Sequence, residues 1–265
     1  MSTAAPTPTP SAPLGTLDIS KTTSIPLMRL VKVEMRKMLD TRSGLWLIIA
    51  IIAITALITV IFFFAAPDDQ RTFLNYIGIM ATPQGFLLPV MGILLVTQEW
   101  SQRTGMVTFT LEPHRGKVIG AKVIAALAFG LLAVILACVL AVLATLVSGA
   151  PGAWDNIGLD DFAKFTLLQV TGVLQGLAFG LIFLNSAAAI VTYFVLPIAF
   201  SIVASLWGAL EDIAPWIDLG TSQEPLFMGQ NLTGEQWWQL VTGTTIWVVL
   251  PFLAGLFRVL RAEVK

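Results

Sequence analysis

The side chains that could take part in chemistry are concentrated in one short segment, QEWSQRTGMVTFTLEPHRGKVIGAK, called here the island (residues 98–122). It holds two glutamates, two arginines, two lysines and His114, the only histidine of the chain. Charged groups at this density make charge-assisted hydrogen bonds with one another or with another macromolecule. An apolar run long enough to cross a membrane lies on each side, so the island is expected to be a polar loop between two spans.

Three residue patterns of catalytic or nucleotide-binding sites are missing from the sequence. A metalloprotease would need H-E-x-x-H, and a membrane serine protease would need a Ser–His or Ser–Lys pair at membrane depth. A nucleotide-binding P-loop reads G-x-x-x-x-G-K-[ST], whereas HRGKV (114–118) lacks the first glycine and the hydroxyl after the lysine. We therefore expect no catalytic residue, no metal site and no cofactor in this chain.

The composition is that of an integral membrane protein. Hydrophobic residues make up 56% of the chain and charged residues only 12%, whereas a soluble domain has roughly 25% charged residues. Residues 1–23 are rich in Pro, Thr, Ser and Ala, without a basic start or an apolar core, and are predicted to be a disordered tail. Residues 24–265 are predicted to form one all-α transmembrane domain, and no nucleic-acid partner is expected.

Six transmembrane helices are predicted from apolar runs of about 20 residues. The region 165–210 is too long for one crossing, because a single helix would extend roughly 70 Å at 1.5 Å per residue. It must fold back, and LNSAA (184–188) is the expected turn. The predicted spans are residues 44–66, 76–97, 120–148, 164–185, 188–210 and 239–258, with an extracellular segment at 211–238.

The basic residues predict the orientation of these spans. Of the 15 lysines and arginines, 13 precede the first span, lie in the island or follow the last span, and only Arg71 and Lys164 lie on the other side. The segment 211–238 has no basic residue. The positive-inside rule therefore places both termini and the island in the cytoplasm. We expect a multi-pass protein of the plasma (inner) membrane.

Residues 24–42, before the first span, have the pattern of an amphipathic helix. Leu27, Leu30 and Val31 fall near one face, while Arg29 and Lys32 fall elsewhere. A basic face suits a helix held on anionic lipid, and it suits equally a helix that docks a cytoplasmic partner. The two interpretations are compatible.

The island has its own local pattern. TQEWSQRTG (97–105) is predicted either to continue span two or to form a short helix that ends near Gly105, because glycine commonly ends a helix. LEPHRGK (111–117) is predicted to be a turn, since Pro113 and Gly116 break regular structure. An ordinary solvated loop is one interpretation; its length, mixed charge and position favour a docking surface.

The order of these elements resembles the membrane subunits of the ABC type-2 exporter family. That family has six spans, an amphipathic interface helix before span one and a cytoplasmic coupling helix after span two. Its loop pattern is a Glu, a Thr or Gly five or six residues later, Leu-x-Pro-x-Arg, and a Lys before span three. The matching residues here are Glu99, Thr104, Gly105, Leu111, Pro113, Arg115 and Lys122.

The resemblance implies partners that this chain lacks. Two copies of a separate P-loop ATPase would bind ATP and Mg, and a second membrane subunit, identical or paralogous, would complete the assembly in the lipid bilayer. The segment from Glu99 to Gly105 would lie in a groove of the ATPase and couple it to span two. The expected ATPase-contact residues are Glu99, Ser101, Gln102, Arg103, Thr104, Gly105 and Arg36.

The spans carry no acidic or basic residue near their centres, which argues against a proton-coupled pump. Uncharged polar residues there suit interhelical hydrogen bonds or the lining of a path for a mostly apolar substrate. In the family, spans two and five line that path, which points to Gln84, Phe86, Thr192 and Phe200. A doubled G-x-x-x-G at Gly172, Gly176 and Gly180 permits close helix contact within the subunit or between subunits.

Two other functions stay open at the level of sequence. A secondary transporter would usually show charged coupling sites or an inverted repeat of its spans, and neither is visible. A membrane scaffold or immunity-type protein of the same fold would need no transport feature at all. The sequence favours the exporter subunit over both.

Overall fold

The computed structural model describes residues 25–102, 104–155, 157–210 and 212–262. In this part of the chain all regular structure is helical. Six helices are long and apolar enough to cross a membrane, so the predicted all-α, six-span architecture is confirmed. The chain is thus a multi-pass membrane protein. The predicted tail, residues 1–23, lies outside the described residues.

The helices are numbered in chain order. Helix α1 (Leu27–Asp40) precedes the first long helix, and helix α4 (Gly105–Leu111) lies between the second and third. The six long helices are α2 (Arg42–Ala65), α3 (Phe73–Ser101), α5 (Arg115–Ser148), α6 (Leu159–Phe183), α7 (Ser186–Leu206) and the segment Gly234–Arg261. That last segment consists of α10 (Gly234–Thr244), a π-helical stretch (Thr245–Val249) and α11 (Leu250–Arg261). The segment before it contains α8 (Ala214–Ile217) and α9 (Leu219–Phe227).

Helix boundaries follow local signals in the sequence. Helix α5 ends at Ser148 and is capped by Gly149, whose φ of 59° is left-handed. Glycine adopts this conformation without steric cost. The predicted turn at 184–188 is confirmed: the chain leaves α6 at Leu184, and the Asn185 side chain accepts a hydrogen bond from the Ala188 amide at 3.0 Å. Asparagine is a preferred residue for this capping role.

Of the two alternatives for TQEWSQRTG, continuation of span two is confirmed as far as Ser101, and a short helix that ends near Gly105 is wrong. Helix α3 ends at Ser101, and Gly105 begins helix α4 instead of ending a short helix. The turn predicted at LEPHRGK is confirmed only for residues 112–114, because α4 extends to Leu111 and α5 begins at Arg115.

Helices α3 and α6 form the centre of the bundle through their glycines. A Cβ atom on Gly176 would meet the backbone of Pro89, and one on Gly92 would meet the backbone of Val173. The doubled G-x-x-x-G therefore makes its close contact within the subunit, as small residues permit in membranes.

Both ends of the described chain lie at the same end of the bundle as the island. Lys117 donates a hydrogen bond to the Ile25 carbonyl at 2.5 Å. The Arg115 guanidinium donates to the Val259 and Ala262 carbonyls, each at 2.7 Å. The N-terminal helix, the island and the end of α11 thus meet in one cluster of polar contacts.

Candidate functional site

Helix α1 carries a carboxylate on its buried face. Val31, Glu34 and Met38 are the buried residues of this helix, at the spacings of three and four that place side chains on one side. Gly44 lets α1 and the start of α2 come close, because a Cβ atom there would meet the Met38 carbonyl. Glu34 therefore points from α1 into the protein.

Lys122 is the cation opposite Glu34. It sits in α5 and is 2% exposed. Its ammonium group lies 2.5 Å from Glu34 Oε2, 3.2 Å from Glu99 Oε2 and 2.8 Å from the Leu95 carbonyl oxygen. An ammonium group has three protons to donate, so these three acceptors match its capacity. Lys122 thereby joins α5 to both α1 and α3.

Glu99 near the end of α3 is the centre of the cluster. Its Oε1 accepts from the Lys37 ammonium at 2.5 Å and from the Thr108 hydroxyl at 2.8 Å, while its Oε2 faces Lys122. Lys37 also pairs with Glu34 at 2.7 Å. We call Glu34, Lys37, Glu99 and Lys122 the ion cluster; it contains two positive and two negative groups.

The charges of the ion cluster stabilise one another. Burial is the largest influence on Lys37 and by itself lowers its pKa. The nearby carboxylates of Glu34 and Glu99, with their hydrogen bonds, outweigh that effect, so the pKa of Lys37 is raised above its ordinary value. Lys37 is thus held as a cation between two carboxylates.

Helix α4 is fixed to the bundle by three contacts. Thr108 donates to Glu99, as above, and the Phe109 ring lies 6.4 Å from the Trp100 ring at the end of α3. The Arg115 guanidinium lies 5.1 Å from the centre of the Phe109 ring, within cation–π range. The short helix is therefore linked to α3, to α5 and, through Arg115, to the end of α11.

The turn after α4 is fixed as well. The Glu112 carboxylate accepts from the His114 ring nitrogen at 2.9 Å and lies 3.5 Å from the Lys117 ammonium. The hydrogen bond from the His114 side chain is the main reason that the pKa of Glu112 is lowered. Lys117 then continues the connection to Ile25 at the start of α1.

The outer surface of α4 is apolar. Met106, Val107 and Leu111 are 53%, 61% and 71% exposed. Between α4 and α1 lies a groove of about 560 Å³, and Glu34, Lys37 and Glu99 of the ion cluster are among the residues that line it. An exposed apolar surface beside a groove whose lining is mostly apolar is typical of a protein-binding site.

The residues predicted to contact an ATPase differ in their exposure. Ser101, Gln102 and Thr104 are exposed between α3 and α4. Glu99 is 4% exposed and is held by the ion cluster. A residue that contacts a partner must be exposed, and the Glu99 carboxylate points into the protein instead. The remaining three are Gly105, which is buried; Arg36, which is exposed and pairs with Asp40 at 3.2 Å; and Arg103, which lies outside the described residues.

Sequence reasoning missed Glu34, Lys37 and the buried position of Lys122. A signal for Glu34 was present, since a glutamate three residues after Val31 and four before Met38 interrupts an otherwise apolar face. Lys122 likewise shares a buried face with Val118, Ala125 and Ala126. Opposite charges on the buried faces of two helices indicate that the helices pair.

The residues predicted to line a substrate path lie in different surroundings. Gln84 is fully buried and bridges helices, donating to the Ala133 carbonyl at 3.1 Å and accepting from Gln169 at 2.9 Å. Phe86 is half exposed and lines a cavity beside α7. Thr192 and Phe200, the two other predicted path residues, are not among the described residues that line this cavity.

Within the described ranges no group of three or more His, Cys, Asp or Glu side chains could hold a metal ion. Comparison with known proteins gives no match, either to a protein-family model or to a curated protein. No comparison therefore assigns this chain to a family. Its structure is that of an all-helical, multi-pass membrane protein with a buried ion cluster at one end of the bundle.

Proposed function

We propose that this chain is the membrane-spanning permease subunit of an ATP-driven ABC exporter, and that the island docks on a separate P-loop ATPase. One observation carries the proposal: a short helix with an exposed apolar surface is hydrogen-bonded through Thr108 to Glu99, a member of the buried ion cluster that joins two membrane-spanning helices, α3 and α5. Such a helix can bind a partner and pass the partner's movement into the spans.

The contacts of the ion cluster define the route for this coupling. A force on α4 acts on Glu99 through Thr108 and on Trp100 through Phe109. Glu99 belongs to α3, and Lys122 belongs to α5, so spans two and three move with α4. Helix α1 moves with them because Lys37 and Glu34 complete the cluster. Close-packed, hydrogen-bonded elements of this kind transmit displacement as rigid units.

The assembly that follows has two such membrane subunits, identical or paralogous, and two ATPase subunits that carry ATP and Mg. The chain lies in the plasma (inner) membrane with both termini in the cytoplasm, where the ATPase is. The charge distribution supports this orientation, because 13 of the 15 basic residues precede the first span, belong to the island sequence or follow the last span.

The test is co-purification from the native host in mild detergent after mild crosslinking, with mass spectrometry of the associated proteins. We expect a stoichiometric P-loop ATPase with the wild type. Val107→Asp and Leu111→Asp should each abolish the association, because a charge would be placed in the apolar contact. Leu159→Asp is the matched control: Leu159 is 89% exposed at the start of α6, at the far end of the bundle.

A wild-type chain that purifies without an ATPase would contradict the proposal. In that case a scaffold or immunity-type protein, or a secondary transporter, becomes the better interpretation. The expression level and the melting temperature of each variant should match those of the wild type. Loss of the ATPase is then not a consequence of unfolding.

A further inference from the structure

A second cavity lies away from the ion cluster, between the middle parts of the long helices and the segment that contains α9. It has a volume of about 380 Å³ and is bounded by α3, α6, α7, α9 and the π-helical stretch. This volume falls within the range of small-molecule sites, which is roughly 300–1,000 Å³. Neither the island nor the exposed surface of α4 takes part in it.

Aromatic rings form much of the wall of this cavity. Phe86 of α3 and Phe194 of α7 have ring centres 5.9 Å apart, and Tyr193 packs edge-on against Phe194 at 5.0 Å. Trp247, in the π-helical stretch, is fixed by a hydrogen bond from its indole nitrogen to the Ile217 carbonyl at 2.7 Å. π-Helical turns are rare and are frequently found at functional sites. Phe227 of α9 also lines the cavity.

A buried polar atom in the wall has no partner. Gln223 of α9 is 9% exposed, and among the described residues its side-chain nitrogen meets no hydrogen-bond acceptor. A buried amide donor without an acceptor is unfavourable, because it has lost its hydrogen bonds with water and gained none in return. An acceptor on a bound molecule would remove this cost, so the atom indicates a ligand with a carbonyl or ether oxygen.

The wall also carries one carboxylate, that of Asp218. Its Oδ2 accepts from the Thr221 amide at 2.9 Å and the Thr221 hydroxyl at 2.7 Å, which caps α9. In the described part of the chain no lysine or arginine pairs with Asp218. An unpaired carboxylate beside several aromatic rings provides the two elements that recognise an organic cation, namely negative charge and π-faces.

We propose that this cavity binds a small amphiphilic organic cation, with the cationic group between Asp218 and the aromatic rings and an acceptor oxygen on Gln223. The chemical class is an aromatic or apolar molecule that bears a quaternary or tertiary ammonium group. The inference goes beyond the proposed exporter function and does not depend on it, since binding needs only this chain.

The first experiment compares two probes that differ in charge and have nearly the same shape. Benzoylcholine has a phenyl ring, an ester carbonyl and a quaternary ammonium; 3,3-dimethylbutyl benzoate replaces the ammonium by a neutral carbon. Binding is measured by equilibrium dialysis on the full chain in phosphatidylglycerol nanodiscs, with empty nanodiscs as background. We expect saturable binding of benzoylcholine at least about tenfold tighter than that of the neutral ester. Equal affinities, or no saturable binding above background, would overturn the proposal.

Two variants assign the binding to this cavity. Asp218→Asn keeps the helix cap, because asparagine also accepts from the Thr221 amide, and should weaken benzoylcholine about tenfold or more. Glu235→Gln is its control, since it removes one exposed carboxylate from the same region. Gln223→Met should weaken benzoylcholine severalfold and leave 4-phenylbutyltrimethylammonium, which has no carbonyl, unchanged.

Each variant result has a contrary outcome. If Asp218→Asn and Glu235→Gln reduce binding equally, the attraction comes from the general charge of the surface, and the site is not at Asp218. If Gln223→Met weakens both cations equally, the amide makes no specific hydrogen bond. The wild-type comparison of the two probes decides the proposal even if a variant does not fold.

Discussion

Lys122 shows how one residue can hold several helices at the membrane boundary. A charge buried to 2% exposure is tolerated because two carboxylates and a carbonyl oxygen surround it. Removing one partner of a buried ion pair leaves an uncompensated charge, which costs about 3–5 kcal/mol. The ion cluster therefore gives little stability in total, but it makes the relative position of α1, α3 and α5 specific.

The first prediction concerns this residue. Lys122→Met should lower the free energy of unfolding by about 3 kcal/mol or more, because Glu34 and Glu99 then face each other with only Lys37 between them. The readout is the melting temperature of the purified protein in nanodiscs. Arg36→Met is the control: it breaks an exposed pair with Asp40, which is worth under about 1 kcal/mol. Equal shifts for the two variants would contradict a structural role for the cluster.

At the residue level the sequence predicts which positions of the island carry charge better than it predicts their contacts. Glu99 and Lys122 are recognisable as charged positions near a loop, yet their burial depends on α1, which lies more than 60 residues away from Glu99 along the chain. Ion pairs over that separation are set by helix packing. Because such packing is not visible in the sequence, the sequence predicts Glu99 as a contact residue for a partner, whereas the structure buries it.

At the level of elements, α3 and α6 illustrate what a local pattern can and cannot decide. The spacing of Gly172, Gly176 and Gly180 predicts a close helix contact, because each lies one turn from the next. It leaves open which helix is the partner. The structure supplies the answer: α3 approaches with Pro89 and Ile93 against these glycines.

A second prediction tests that packing. Gly176→Ala should destabilise the protein by about 1–3 kcal/mol, since the new Cβ would overlap the backbone of Pro89 and push α3 from α6. Gly120→Ala is the matched change, because a Cβ there meets no atom within 4 Å. Thermal unfolding in the same nanodiscs compares them. A melting temperature unaffected by Gly176→Ala would mean that the two helices pack less closely than described.

For the whole molecule, the six-span architecture follows from the sequence because the bilayer constrains it strongly. A helix must satisfy its backbone hydrogen bonds internally and match a hydrocarbon thickness of about 30 Å. The predicted spans therefore agree with the observed helices to within a few residues, apart from extensions at polar ends such as residues 98–101 and 115–119. The first extension carries Glu99 of the ion cluster. The second carries Arg115 and Lys117, which donate hydrogen bonds to backbone carbonyls near the two ends of the described chain.

A third prediction concerns the orientation of the whole chain. In a Cys138→Ala background, which removes the single native cysteine, Gln230→Cys should react with an impermeant maleimide added to intact cells. Gln102→Cys should react only after permeabilisation. Both side chains are exposed, so access to reagent decides the result. The reverse labelling pattern would place the island outside the cell and remove the basis of the proposed function.

The central claim is that the exposed apolar surface of α4 binds an ATPase. The most direct measurement is photo-crosslinking in the native host with benzoylphenylalanine at position 107, compared with the same residue at position 159. We expect a light-dependent adduct with a P-loop ATPase at position 107 and none at position 159. Adducts with lipid alone at position 107, or the same protein adducts at both positions, would contradict it.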